Sequence, residues 1–497
     1  MTNKILFWAD SLFIQFGIAK SLQEKYGCEL FAIYDVTSFL KNLLKKQKIV
    51  KFQKEWFFWD YVKVTKKNPD IKYLEQFEKK FRINIWMFSN YEALFSKKNQ
   101  YHKFSHDEIL SIFEQECRFF EQVLEEIKPN FLVIKFTDFH RNHLLKEMCS
   151  ALGIKVLMLT PTIVGNRSRI INEYNIQHDL SKTEIKSENV KSFSELREYI
   201  KKYNKFLQSK KIIAGGGKNT LVDKTKITLQ WMKTSEIEDM SRYDYYNSNK
   251  SKVLTTRFLN GLRKKQRESF IDKNFEYEID NDENFVYFPL QVEPERSLNI
   301  DAPFYVNQLE IIKNISKSLP VGYKLFVKEH YGQIFRNWRE IKYYKEIMSL
   351  PNVKLIHHSI KPEEIIKKCK LVLSISGTSG FEAALYEKPS IVFADVNYES
   401  LESVNRVKQI EDLPNLIRNT LKQKVNLLEL NKFISRIEID SFEFDEIELQ
   451  NIIYDKFHSG GLALRRNITM EDLQSFLEDQ KKIFDSLALE HIKKIQK

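Results

Sequence analysis

In the stretch LVLSISGTSGFEAALYEKPSIVFAD (371–395), two apolar, β-branched runs flank a turn of small polar residues and one short helical segment. LVLSI (371–375) and IVFAD (391–395) have strand length without polar alternation, and GFEAALYEK between them has helical spacing. The pattern predicts a βαβ unit in a parallel sheet covered by helices.

The same alternation recurs at both ends of the chain. ILFWAD (5–10) predicts a strand, IQFGIAKSLQEKYG a helix ending at Gly27, and CELFAIYDV (28–36) a second strand. Further on, NFLVIKFTDFHRNHLLKEMCSALGIKVLMLTPT (130–162) predicts a strand over 131–136, a polar loop over 137–142, a helix over 143–152 and a strand over 155–159. Residues 41–130 between them are mostly helical in period. After 284, strands at 285–290, 323–330 and 353–358 alternate with helices at 306–320, 336–349 and 362–370 and lead into the βαβ unit. Two doubly wound α/β domains are therefore expected.

The segment 166–280 is less patterned. Its SKKIIAGGGKNTLVDKT (209–225) lacks the G-x-x-x-x-G-K-[ST] spacing of a phosphate loop and reads as a linker, and residues 242–270 read as a basic helix. Beyond 400 the chain is helical and charged, and its last helices are expected to fold back on an earlier domain. The division is 1–165, an N-terminal Rossmann-like domain; 166–280, a helical and basic linker; 281–425, a C-terminal Rossmann-like domain; and 426–497, C-terminal helices.

Composition narrows the class. The 497 residues are 42% hydrophobic and 13% aromatic, which fits globular domains. The 79 Lys and Arg against 67 Asp and Glu leave +12, which favours anionic partners such as nucleotides or a phospholipid surface. Cys28, Cys117, Cys149 and Cys369 have no C-x-x-C spacing, so neither a zinc site nor a disulfide framework is indicated, and a reducing compartment fits. Asp10 interrupts the apolar N-terminus, which reads as a strand and helix rather than a signal peptide. No uncharged apolar run reaches the roughly 18 residues of a spanning helix. The expectation is a cytoplasmic protein, peripheral at most on the inner face of the cell membrane.

Ligands of open parallel sheets sit beyond the carboxyl ends of the strands. Three such ends in the second domain carry polar groups: Gln291, Glu293, Glu295, Arg296 and Ser297 after the first strand; Lys328, Glu329 and His330 after the second; and Ser376, Gly377, Thr378, Ser379 and Glu382 in the opening turn. Free backbone N–H groups there attract an anion, Gly377 and Gly380 permit close approach, and Glu382 can accept from sugar hydroxyls. Taken singly, each loop reads first as a helix cap or a solvated strand terminus; three of them on one edge reverse that reading.

YFPLQVEPERS, LPVGYKLFVKEH, LPNVKLI and SGTSGFEAALYEKPSIVF, in that order over about residues 284–400, resemble the capsule polysaccharide biosynthesis family of bacterial glycosyltransferases, which includes the Kdo transferases of capsule linkers. The resemblance implies a GT-B fold, two Rossmann-like domains facing a cleft, and metal-independent transfer. The sugar would pass from a CMP- or UDP-linked nucleotide donor, a co-substrate rather than a cofactor, to a lipid-linked or growing glycan. It implies that Gln291, Lys328, Ser376, Gly377, Thr378, Ser379 and Glu382 bind the nucleotide, and that Lys328 and His330 neutralise the departing phosphate. Two positions depart from the family pattern: Tyr331 stands where a proline follows the histidine, and Glu295 where the first motif ends in Asp. The catalytic base or nucleophile is expected from the facing domain, with Asp10, Asp138 and His140 as candidates beside Glu295 and His330. Asp280-Asn281-Asp282 has a D-x-D form but lies in an acidic turn and reads as solvated. The expected partners are the nucleotide-sugar donor, the glycan or lipid-linked acceptor and an anionic membrane surface, without nucleic acid. Three other readings share this architecture: a nucleotide-sugar 2-epimerase-like isomerase, a CDP-polyol phosphotransferase, and a non-catalytic assembly scaffold.

Overall fold

The computed structural model describes residues 2–36, 38–65, 68–95, 99–173, 189–202, 246–280, 282–457 and 468–496, with single residues 180, 183 and 243 between them. The glycine-rich stretch 209–225 lies outside the described residues.

The chain builds two α/β sheets. The first is seven-stranded, from β1 (Asn3–Asp10), β2 (Cys28–Asp35), β3 (Lys54–Phe57), β4 (Phe131–Lys135), β5 (Lys155–Pro161), β6 (Arg167–Ile171) and β13 (Phe442–Glu443), in the order β13-β6-β5-β4-β1-β2-β3. The second is six-stranded, from β7 (Phe285–Pro289), β8 (Lys324–Lys328), β9 (Val353–Ile356), β10 (Leu371–Ser374), β11 (Ser390–Val392) and β12 (Val404–Arg406), in the order β12-β11-β10-β7-β8-β9. All pairings of the second sheet are parallel, whereas β5–β6 and β6–β13 in the first are antiparallel. This is an arrangement of two Rossmann-like domains.

Strand alternation divides each core in two. Ile5, Phe7 and Ala9 of β1 pack on one face of the first sheet, and Leu6 and Trp8 on the other. The second sheet does likewise, with Val286 and Phe288 opposite Phe285 and Tyr287. The end of the chain completes the first domain: the helices Glu446–Phe457, Met470–Asp479 and Lys481–Ile495 supply Leu449, Phe457, Phe476, Phe484 and Leu487 to its first face. Packing there is close enough that a Cβ on Gly17 of the helix Ile14–Lys25 would lie 2.4 Å from the Phe484 ring.

Several elements differ from the sequence reading. The segment 41–130 contains β3, and the region after 166 first adds β6 to the first sheet before any helix. The stretch after 426 is not all helical, because β13 pairs with β6. The helix expected from 143 begins at His140 and runs to Ala151, because the Asn142 side chain reaches back to accept from the Phe139 N–H at 3.1 Å. The helix Lys250–Asn274 spans the two domains: Val253 is buried at one end, while Ile271 joins the core of the second sheet.

Candidate functional site

The connection order of the second sheet reverses between β7 and β10. From β7 the chain winds outward through β8 and β9, then returns to β10 and winds the other way through β11 and β12. The crevice at the carboxyl ends of β7 and β10 is where open α/β sheets bind ligands. The first sheet has an equivalent reversal between β1 and β4. Arg296 brings the two edges together: its Nε donates to the Thr137 carbonyl just past β4, its guanidinium lies 4.1 Å from the Phe136 ring centroid, and it pairs with Asp301. The loops carrying Asp138 and Glu295 therefore meet across one cleft.

At the crevice the Gln291 amide lies against the serine turn. Oriented with its oxygen toward the turn, it accepts from the Ser376 N–H at 3.0 Å and the Gly377 N–H at 2.6 Å. Those two N–H groups, expected to hold a phosphate, are satisfied by Gln291 instead. A Cβ on Gly377 would fall 2.9 Å from the Gln291 amide, and one on Gly380 2.8 Å from the Tyr398 hydroxyl. The close approaches that require these glycines are made by protein groups. Ser376 Oγ donates to the Ser297 carbonyl, and Thr378 Oγ1 donates to Glu382 at 2.8 Å, while burial raises the Glu382 pKa. Ser379 is half-buried, and its hydroxyl has no hydrogen bond among the described residues.

Gln291 is itself clamped by side chains that carried no motif signal. Its N–H donates to Gln308 Oε1 at 2.7 Å, and its carbonyl accepts from Gln308 Nε2 at 3.0 Å and Arg339 Nη2 at 2.6 Å. Arg339 is paired with the buried Glu329, which also accepts from the Tyr344 hydroxyl at 2.8 Å and the His330 N–H at 2.7 Å. Glu329 thus turns into the interior and fixes the β8 loop to the β7 loop. Gln308 and Arg339 could have been found only as polar residues inside an otherwise apolar stretch.

Lys328 differs from these. It is 4% exposed, and its ammonium has no hydrogen bond or ion pair among the described residues; burial pushes its pKa down to about 8, with Glu329 opposing. His330 Nδ1 accepts from the Gly332 N–H at 3.0 Å, and burial lowers its pKa to about 4. At neutral pH the ring is uncharged with its proton on Nε2. His330 is thus a hydrogen-bond donor, not the second positive charge expected. His358, after β9, feels Lys328 electrostatically, and its buried Nδ1 has no hydrogen-bond partner among the described residues.

The carboxylates expected from the first domain fall into separate places. Lys135 binds Asp10 at 2.7 Å and Asp138 at 3.3 Å, so both lie at the strand edge with a shared counter-ion. His140 does not reach the cleft. It is fully buried between Glu92 and Glu116, at 3.0 Å from each, and those carboxylates raise its pKa to about 9 against the cost of burial. Its role is structural, contrary to expectation. Glu295 is solvent-exposed at the cleft, yet the protein around it raises its pKa, with Arg336 opposing. Asp280 and Asp282 precede β7, at the opposite edge of the sheet from the crevice. Among the described residues, no group of three or more metal-ligating side chains is assembled.

Residues 194–402 match the family model described as capsule polysaccharide biosynthesis protein. No curated protein matches significantly. Among solved structures, the chain is similar to a UDP-GlcNAc 2-epimerase from Methanocaldococcus jannaschii at 14% identity, covering 88% of this chain and 99% of that one with a TM-score of 0.24. It is also similar to the KpsC β-Kdo 2,7-transferase of Thermosulfurimonas dismutans at 12% identity, covering 68% and 89% with a TM-score of 0.31. The epimerase of Neisseria meningitidis, bound to UDP-GlcNAc, has 12% identity over 88% and 99%, with a TM-score of 0.22.

Proposed function

We propose that the protein is a glycosyltransferase of capsule or related surface-polysaccharide assembly, which takes a sugar from a CMP- or UDP-linked donor and passes it to a lipid-linked or growing glycan. The observation that carries this is Lys328: a buried ammonium without a hydrogen bond or ion pair among the described residues, at the carboxyl edge of the strand beside the switch-point crevice, in a region that matches the capsule family model. A buried charge is stabilised only by an opposite charge, and a donor phosphate supplies one.

In this reading the base and ribose sit at the turn Ser376–Ser379 with Glu382, and Lys328 with the Nε2–H of His330 receives the phosphate. The acceptor oxygen bonds to the anomeric carbon as the carbon–oxygen bond to the phosphate breaks. Lys328 offsets the charge left on that phosphate, and the Nε2–H of His330 donates a hydrogen bond to it. Glu295, in the cleft with a raised pKa, accepts the proton of the acceptor hydroxyl, and Asp138 faces it from the other domain.

The test is thermal unfolding of the purified protein with CMP, CDP, UDP, GDP and ADP, repeated with Lys328→Met and Ser379→Ala. A ligand of the folded state raises the melting temperature with concentration. Stabilisation by one base that both variants lose supports the donor site and names the base; no response to any nucleotide removes it. Incubation with the matching nucleotide-sugar alone then separates transfer from epimerisation, since only an epimerase converts the sugar without an acceptor.

A further inference from the structure

The helix Lys250–Asn274 reads KSKVLTTRFLNGLRKKQRESFIDKN, with eight basic and two acidic residues. Both ends are held. Lys252 Nζ donates to the Tyr101 carbonyl at 3.0 Å and Asn260 to Gln100 at 2.8 Å on the first-domain side; Arg267 donates to the Asn337 and Trp338 carbonyls at 2.8 and 3.1 Å on the second. The turns between stand out from the protein. Phe258 is 68% exposed, Leu262 52% and Leu259 43%, and a Cβ on Gly261 would meet nothing within 4 Å.

At roughly 100° per residue, Phe258, Leu262 and Leu259 span one sector of the helix, with Lys265 about 20° beyond one edge of it and Arg263 about 40° beyond the other. Three adjacent large apolar side chains in water are costly unless something covers them. A rim of cations around an apolar stripe is the pattern of a helix lying in the interface of a negatively charged bilayer. The place in the fold agrees. Glu268 of this helix accepts from the Trp338 indole at 3.3 Å, and Trp338 packs on His358 beside the β8 and β9 strand ends, so the helix runs along the cleft edge of the second sheet.

We infer that residues 258–265 dock the protein on an anionic phospholipid surface, with Phe258, Leu259 and Leu262 entering the headgroup layer and Arg263 and Lys265 facing lipid phosphates. The contact would present the cleft to an acceptor carried at the membrane. It stands apart from the donor site, because vesicle binding is read whether or not a nucleotide binds.

The test is co-sedimentation of the full chain with vesicles of phosphatidylcholine alone and of phosphatidylcholine with phosphatidylglycerol, at low and raised salt. The wild type is expected on the anionic vesicles only, and less at raised salt. The Arg263→Glu/Lys265→Glu variant should lose more than tenfold in partition, since each cation near such a surface is worth roughly fivefold. Phe258→Ser/Leu262→Ser should lose a comparable factor. Both pairs are exposed, so their melting temperatures should match the wild type. Failure of the wild type to bind anionic vesicles, or equal binding by both variants, overturns the inference. Loss on charge reversal with full binding by Phe258→Ser/Leu262→Ser reduces the contact to a diffuse electrostatic one and overturns the insertion.

Discussion

Replacing Lys328 by Met should make the protein more stable and less able to bind a phosphate-bearing ligand. Burial drops the ammonium from its ordinary 10.5 to about 8, which corresponds to about 3 kcal/mol of penalty on the charged form, at about 1.4 kcal/mol per factor of ten. The penalty is full below pH 8, where both folded and unfolded chains carry the charge. It fades as pH rises from 8 to 10.5, where the folded chain has lost the proton and the unfolded chain keeps it. Methionine has similar length without charge, so Lys328→Met should gain about 1–3 kcal/mol at pH 7, or roughly 2–8 °C in the transition of the second domain.

The assay is denaturant and thermal unfolding of wild type and variant in parallel at pH 7 and pH 10.5, without and with the stabilising nucleotide. The difference between the two proteins should be large at pH 7, shrink by pH 10.5, and reverse at pH 7 when nucleotide is saturating. A Lys328→Met protein that is less stable than wild type at both pH values would show that the ammonium has a partner in the folded chain. A variant that keeps the full response to nucleotide would show that the charge faces something else. Either result refutes the reasoning.

Glu329→Gln leaves the buried guanidinium of Arg339 with only the longer pairing to Glu293 at 3.4 Å; a loss of about 3 kcal/mol in chemical unfolding is expected. Gly17→Ala brings a methyl against the Phe484 ring, and the overpacking of about 1–3 kcal/mol should outweigh the roughly 1 kcal/mol gain in helix propensity, read as a lower melting temperature. The raised pKa of His140 means that its pairing stabilises the fold fully below pH 6.5 and less as pH climbs through about 9. Stability should therefore fall between pH 6.5 and 8, before Lys328 titrates, and a His140→Gln variant should show a flatter profile over that interval.

The strands that carry the site were legible because they are continuous apolar runs: FVYFP, KLFVK and LVLS are each buried on both faces. So was their meeting at one edge, since parallel strands with short connections share a carboxyl end. The short strands β6, β12 and β13 were not, because two to five residues of mixed polarity have no detectable period, and β13 depends on a partner more than 270 residues away. Side-chain direction was equally hidden. Lys328, Glu329 and His330 are consecutive, yet the acid turns inward to Arg339 and the histidine is neutral. His140 looked like a loop residue beside Asp138 because its partners Glu92 and Glu116 come from helices far back in the chain.

These placements separate the part of the site that is built for rigidity from the part that answers a ligand. Gln291 is fixed through both backbone groups by Gln308 and Arg339, and its amide in turn satisfies the turn at Ser376 and Gly377. That network is densely bonded, and a network of buried polar groups bonded to one another holds one geometry. Lys328 sits outside it, and so do the Ser379 hydroxyl and the buried Nδ1 of His358. A ligand phosphate therefore needs to displace no bond at these positions: it meets a charge whose burial is already part of the cost of the folded state. Nucleotide release should be sensitive to Lys328 and His358, whereas Gln308 and Arg339 should affect binding only through the shape of the frame. Gln308→Leu is the discriminating case, because it opens the frame without touching Lys328. It should weaken binding and lower the melting temperature together, while Lys328→Met moves them in opposite directions.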